Sequence, residues 1–487
     1  MVNTVQRVVV LALLLAIAPA NAKTALEFLR EAKKPQFRDG HTLPNLTRWG
    51  WTMPFDVRVE LAENWGYALE FGEANPSAVA QLNDPNSIPS KICALASSNP
   101  GRYRIFLSIY RPFFDRKFLE GLPEETWCYD SEGRRVWSPE APDEVFERAA
   151  EISVLLLKKI SALAPISIIL NGGEYALSTY GWAGKAWASD QRVLKAKGDM
   201  SWFDYISKRK ASQELIIKNA IKREISGALY IYYHTEAAHR NRYPQWWHWS
   251  YDYKQIRKVS DLPSSSIYYL HFNSGFTGDN DMLTQALNCV AQQIECSDLL
   301  SYNWVNAGWE RKELGEKAFA DLALYMGYLK CYYTAGMIGG VAGYFAYPKG
   351  GFDGDVGDKP PHWLQQMMVL SYVHALFSHL EDFLRDGVLL PGPNRHRWSK
   401  DLPAYEFPTG EPNLRVLVRK HNRRNEWLIT AWAADGNRRK VQIIVPEIGR
   451  VELIARPCGS VYRATLKDKR VYLTQVDESV VYPVGNH

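Results

Sequence analysis

From Thr47 to Tyr347 the chain alternates short runs of β-branched and aromatic residues with longer stretches of helical periodicity. That alternation predicts parallel strands joined by crossover helices. Eight strands are expected: Thr47–Trp51, Tyr67–Gly72, Tyr103–Tyr110, Ile166–Leu170, Ala228–Tyr233, Ile267–Phe272, Leu299–Trp304 and Gly340–Tyr347. Helical stretches fall between them, among them Phe55–Trp65, Asp143–Leu163 and Glu313–Cys331, and His362–Phe383 follows the eighth strand. Eight strands alternating with helices over roughly 300 residues is the pattern and size of a (β/α)8 TIM barrel.

The pattern changes after Gly387. Leu389-Leu-Pro-Gly-Pro reads as the start of a linker over residues 388–411, and beyond it helical periodicity disappears. Strand-like runs replace it: Leu414–Lys420, Trp427–Ala433, Lys440–Val445, Val451–Ala455 and Val471–Thr474. Asp435-Gly436 between two of these runs is a hairpin signal. The expected class is therefore α/β, with a barrel over residues 23–387 and a small all-β sandwich over 412–487.

Residues 1–22 have a different character. Arg7 is their only charge, the apolar run Val8 to Ala18 follows it, and Pro19 precedes the small residues of Ala20-Asn21-Ala22. The run has the length of a signal-peptide core and is too short to span a bilayer. Export is expected, to the periplasm or the medium, with no membrane anchor.

Composition is otherwise that of a globular protein, 46% apolar and 23% charged, except for its 17 Trp and 27 Tyr. Aromatic faces stack on the C–H faces of sugar rings, so this excess favours a carbohydrate ligand. The net charge of +5 is spread along the chain without a Lys/Arg run, which argues against a nucleic-acid partner. The six cysteines show no CxxC or zinc-type spacing, and buried free thiols are the expectation. No metal and no cofactor is called for; Asp353 and Asp355 lie in a Gly-rich loop but lack an EF-hand pattern.

Active sites of such barrels form at the carboxyl ends of the strands. The polar and aromatic residues at or just past the eight runs include Trp49, Trp51, Glu70, Glu73, Tyr110, Arg111, Asn171, Glu174, His234, Glu236, His271, Asn273, Asn303, Trp304, Tyr344 and Tyr347. Carboxylates, amides and aromatics dominate; there is no Ser-His-Asp set and no phosphate loop. Glycoside hydrolysis needs two carboxyl groups, one protonated and one ionised. Glu174 is the leading acid, because Gly172 and Gly173 allow the backbone to bend and bring it over the barrel mouth. Asn171 beside it is expected to bind a sugar hydroxyl.

For the second carboxylate, Glu236 after the fifth strand comes first on strand position. Glu310 after the seventh, and Asp279 or Asp281 after the sixth, are the alternatives. Substrate contacts are expected from Trp49, Trp51, Arg111, Asn171, His234, His271, Asn273, Asn303, Trp304 and Tyr344. Trp247 joins them, within the aromatic stretch Tyr243-Pro-Gln-Trp-Trp-His-Trp249.

This layout resembles the clan of barrel glycoside hydrolases that place the acid/base Glu after the fourth strand and the nucleophile Glu after the seventh, often with a C-terminal β-sandwich. The resemblance implies Glu174 as acid/base and Glu310 as nucleophile. In that clan Asn directly precedes the acid/base Glu, whereas here two glycines separate Asn171 from Glu174. The seventh run ends in Asn303-Trp304, with Glu310 displaced downstream. The expected function is a secreted glycoside hydrolase acting on a polysaccharide or oligosaccharide. A non-catalytic sugar-binding barrel and a polysaccharide lyase are the other readings.

Overall fold

A computed structural model describes residues 23–49, 53–178, 184–233, 236–238, 250–264, 266–267, 282–306, 321–342, 362–394 and 403–477. Eight parallel strands form two four-stranded sheets. Strands β1 (Arg48–Trp49), β2 (Leu69–Ala74), β3 (Ile105–Ile109), β4 (Ile166–Asn171), β5 (Leu229–Tyr232), β6 (Ser266–Ile267), β7 (Ser301–Asn306) and β8 (Met337–Ala342) follow in chain order. One sheet runs β2-β3-β4-β5 and the other β6-β7-β8-β1. Every ladder in both is parallel.

The two sheets are joined along one side. Leu46, just before β1, bridges Tyr67, just before β2. Inside this seam Arg48 makes a buried, two-pronged ion pair with Glu70, at 3.0 Å from Nε and 2.8 Å from an Nη. Two charges buried together in fork geometry replace the hydration that each has lost. On the other side the segment after β5 spans the gap: Asp261 N–H donates to Tyr230 O at 2.8 Å, and Pro263 O accepts from Tyr302 N–H. No direct β5–β6 ladder is present among the described residues.

Helices cover the outer faces of the strands. Helix α1 (Phe55–Asn64) lies between β1 and β2, and α2 (Asp143–Ser161) and α3 (Trp202–Glu224) flank β4. α2 buries Val145, Phe146, Ala149, Leu156, Leu157 and Ile160, an apolar stripe at helical spacing. Helices α4 (Met282–Glu295), α5 (Leu322–Thr334) and α6 (His362–Ser378) cover the β6-β7-β8 side. The run read as one helix to Phe383 is broken, with a separate α7 at Glu381–Asp386.

Strand β8 begins three residues before the expected Gly340. Its glycines let neighbouring backbones close in. A Cβ on Gly339 would stand 1.9 Å from Asn303 O, and one on Gly340 2.5 Å from Thr47 O.

Past α7 the chain forms a five-stranded antiparallel sheet. Its strands are β9 (Gly387–Leu389), β10 (Leu414–His421), β11 (Glu426–Ala433), β14 (Ser460–Lys467) and β15 (Arg470–Gln475), in the order β9-β10-β11-β14-β15. A second pair, β12 (Arg439–Val445) and β13 (Gly449–Ala455), lies over it and encloses Val416, Val418, Ile429, Val441, Ile443 and Leu453. Two expectations change here. β9 opens the stretch read as a linker. Asp435-Gly436 forms a turn with Gly436 at φ +85°, but it carries the chain from one sheet to the other, because β11 pairs with β10 and β14 and β12 with β13.

The other face of this sheet packs on the parallel-strand layer through α5. A Cβ on Gly327 of α5 would sit 2.2 Å from the Trp432 ring. Lys330 of the same helix is buried against Asp477, 2.6 Å away, and donates to Gly459 O. Arg419 of β10 is also buried, and its donors all reach backbone carbonyls, those of Leu299, Thr334, Phe383, Leu384 and Gly387. Several of these belong to the carboxyl ends of α5 and α7, where the helix dipole is negative.

All six cysteines are free. Four are buried and Cys296 and Cys458 are half-buried. Residues 1–22 lie outside the described residues, and no described helix is long and apolar enough to cross a membrane.

Candidate active site

The turn after β4 is built around two glycines. Gly173 has φ +66°, and a Cβ there would meet Tyr233 O at 2.4 Å, so only glycine fits. Gly172 lies against the Arg111 guanidinium, where a Cβ would stand 3.0 Å from an Nη. Ala176, two residues past Glu174, also takes a left-handed backbone at φ 52°, a strained conformation for a residue with a Cβ.

Glu174 emerges from this turn half-buried. Burial pushes its carboxyl above the usual carboxylate range. Two groups oppose that shift: the nearby Arg111 guanidinium and a hydrogen bond from the Tyr233 hydroxyl. Arg111, just past β3, is itself 3.7 Å from a carboxylate oxygen of Glu73 in β2. Its guanidinium lies over the ring of Phe114, which is 56% exposed. The carboxyl ends of β2, β3, β4 and β5 thus bring together Glu73, Arg111, Phe114, Glu174 and Tyr233. A carboxyl held toward its protonated form at a strand end is suited to donate a proton to a leaving group.

Four residues singled out from the sequence play other parts. Asn171 does not face a ligand. It is fully buried, its amide donates to Tyr175 Oη, Glu214 Oε2 and Tyr230 Oη, and its carbonyl oxygen accepts from Gly173 N–H. Trp304 is fully buried, packed on Phe106 and Tyr302, with its indole N–H on Ser264. Asn303 is buried and turned toward α4 through Ser301 and Gln293. Glu70 is held by Arg48 in the seam between the sheets.

Arg111, expected as a substrate contact, lies just past β3 and acts on the Glu174 carboxyl. Trp49 ends β1, and Glu236 opens a separate short strand, Glu236–Ala238, paired in parallel with Ser250–Asp252; the side chains of both lie outside the described residues. Trp51, His234, Trp247, His271, Asn273, Asp279, Asp281, Glu310, Tyr344, Asp353 and Asp355 lie outside them altogether.

No family model and no curated protein sequence matches this chain. Solved structures do resemble it. Amy13B of Eubacterium rectale aligns over 90% of this chain and 98% of its own, at 9% identity and a TM-score of 0.45. A noncanonic maltogenic α-amylase, AmyB of Thermotoga neapolitana, aligns over 92% of this chain and 89% of its own, at 8% identity and a TM-score of 0.41. A catalytic mutant of Gan42B, a GH42 β-galactosidase of G. stearothermophilus, aligns over 71% of this chain at 10% identity and a TM-score of 0.42. This chain spans 58% of the length of that β-galactosidase. With TM-scores below 0.5, none of the three assigns an activity to this chain.

Proposed function

We propose that this protein is a glycoside hydrolase in which Glu174 is the general acid. The observation that carries this reading is the environment of that carboxyl: half-buried, shifted toward its protonated form, and placed past the end of β4 between Arg111 and Tyr233. Phe114 supports a sugar ligand, because its ring is 56% exposed and packs on Arg111, the cation that acts on the acid.

The partner carboxylate is Glu236 or Glu310. A separation of about 5–5.5 Å from Glu174 makes it a nucleophile, and ~6.5–9.5 Å makes it the base that activates water. The eight parallel strands close into a barrel through the β5–β6 seam, in residues 23–387. The C-terminal sheets form a β-sandwich over residues 412–487. Residues 1–22 direct export, which brings the enzyme to polysaccharides too large to enter a cell.

The test is release of reducing ends from a broad panel of polysaccharides and oligosaccharides by the wild type and Glu174→Gln. Hydrolysis by the wild type, and its loss in a folded Glu174→Gln variant, is expected. Full activity of that variant overturns the assignment of the acid. Glycan binding without cleavage by the wild type overturns the enzymatic reading in favour of a sugar-binding barrel.

A further inference from the structure

The turn that carries Glu174 stands on a buried ion pair. Lys210 and Glu214 of α3 are one helical turn apart, both fully buried, with Nζ 2.6 Å from Oε1. The pair has the order Lys before Glu, the less favourable one for an isolated helix, so local helix stability does not account for it. Burying two charges is itself costly, and they are retained where they hold something else in register.

What they hold is the site. Glu214 Oε2 accepts from Tyr175 Oη at 2.5 Å and from the Asn171 amide at 3.1 Å. Lys210 Nζ donates to Tyr175 O and lies 4.4 Å from the centre of the Tyr175 ring. The opposite face of that ring stacks on Phe113 at 4.4 Å, within the Pro112–Phe114 turn next to Arg111. Tyr175 is bonded to Glu174, and Asn171 fixes Gly173 N–H. The helix-borne pair therefore grips the turn after β4 at both ends, and through Phe113 it also braces the turn after β3.

We propose that Lys210 and Glu214 are positioning residues for Glu174: acting through Tyr175 and Asn171, they hold its carboxyl in the half-buried setting between Arg111 and Tyr233. Catalytic relevance rests on the reading of Glu174 as the acid; the positioning itself does not. The pair touches no reacting group. Among the described residues the titratable groups that interact with the Glu174 carboxyl are Arg111, Tyr233 and Tyr251, with Glu73 beside Arg111; Tyr251 also feels Glu214, and Tyr233 N–H donates to Asn171 O.

The test is a 13C NMR titration of the Glu174 side-chain carboxyl in the full chain, assigned by the signal missing from Glu174→Gln. Tyr175→Phe removes only the hydroxyl that reaches Glu214 and keeps the stack on Phe113. Lys210→Met/Glu214→Leu replaces the whole ion pair with apolar groups of similar size and takes from the Tyr175 hydroxyl and the Asn171 amide their Glu214 acceptor. In both variants the titration of Glu174 is expected to move down toward the ordinary carboxylate range, with faster amide exchange at Gly173, Glu174 and Tyr175. On any glycan that the wild type cleaves, kcat should fall by about 100-fold with KM little changed.

A Glu174 titration identical to wild type in either folded variant overturns the proposal. Should the double variant not fold, Tyr175→Phe decides alone. Full activity of Glu174→Gln would remove the catalytic reading, and the titration would then decide positioning by itself.

Discussion

The Tyr233 hydroxyl, just past β5, stands close enough to the carboxyl of Glu174, past the end of β4, to lower its pKa by hydrogen bonding. The bond favours the ionised carboxylate and so works against burial, which favours the protonated one. Tyr233→Phe removes the opposing effect. A general acid acts only while protonated, so the alkaline limb of the kcat/KM profile should move to higher pH in this variant. A pH–rate series on wild type and variant checks it, and an unmoved or lowered limb counts against the bond.

Glu174 also leaves a mark on stability. Its carboxyl is raised in the folded protein, so folding binds its proton more tightly than the unfolded chain does. The stability it contributes is complete below the unfolded-state carboxylate pKa and is lost as pH rises through the folded one. Glu174→Gln has no proton to lose. Denaturant titrations at several pH values should show the variant gaining on wild type from acid toward neutral pH.

Gly173→Ala tests the turn itself. The new methyl meets Tyr233 O in a backbone that already has φ +66°, so the turn must shift. The left-handed backbone alone costs about 1–2 kcal/mol, and a displacement near 1 Å would cost about 100-fold in rate. Thermal unfolding and single-substrate kinetics read the two effects separately. A variant with wild-type kcat would show that the turn does not set the position of the acid.

Arg419→Met addresses the contact between the parallel strands and the C-terminal sheets. Five carbonyls lose their donor, and each buried one left unsatisfied costs about 1–3 kcal/mol. Relaxation and water entry recover part of this, so a net loss of ~3 kcal/mol is expected from chemical denaturation. A loss below about 1 kcal/mol would mean that the carbonyls find other partners.

The period of the hydrophobic pattern locates most of these elements in the sequence. The parallel strands appear there because both of their faces are covered, which leaves apolar runs such as Ile166–Leu170. Ser460–Lys467 and Gly387–Leu389 give no such signal. The first is interrupted by Tyr462-Arg463, and the second is too short to show a period.

The site is legible in the sequence only at its apex. Glu174 follows an apolar run and a Gly-Gly pair, which is a local signal. Asn171 looks equally available, because sequence does not show which way a side chain turns at the last position of a strand. Lys210 and Glu214 do leave a trace: they stand in the same stripe as Phe203, Ile206, Ile217 and Ile221, where charges have no reason to be on packing grounds. Tyr233 leaves none, since a tyrosine ending a strand reads equally as core.

Gly327 carries a consequence for how the molecule lives and dies. Its missing side chain lets the Trp432 ring lie directly on α5, and Lys330, one turn along, is buried on Asp477. Neither half can be peeled away without uncovering an apolar surface and an orphaned charge. The C-terminal sheets are thus no bead on a string, to be swapped or trimmed at will. The chain should melt in one cooperative step, and a protease nick between the halves should leave them together.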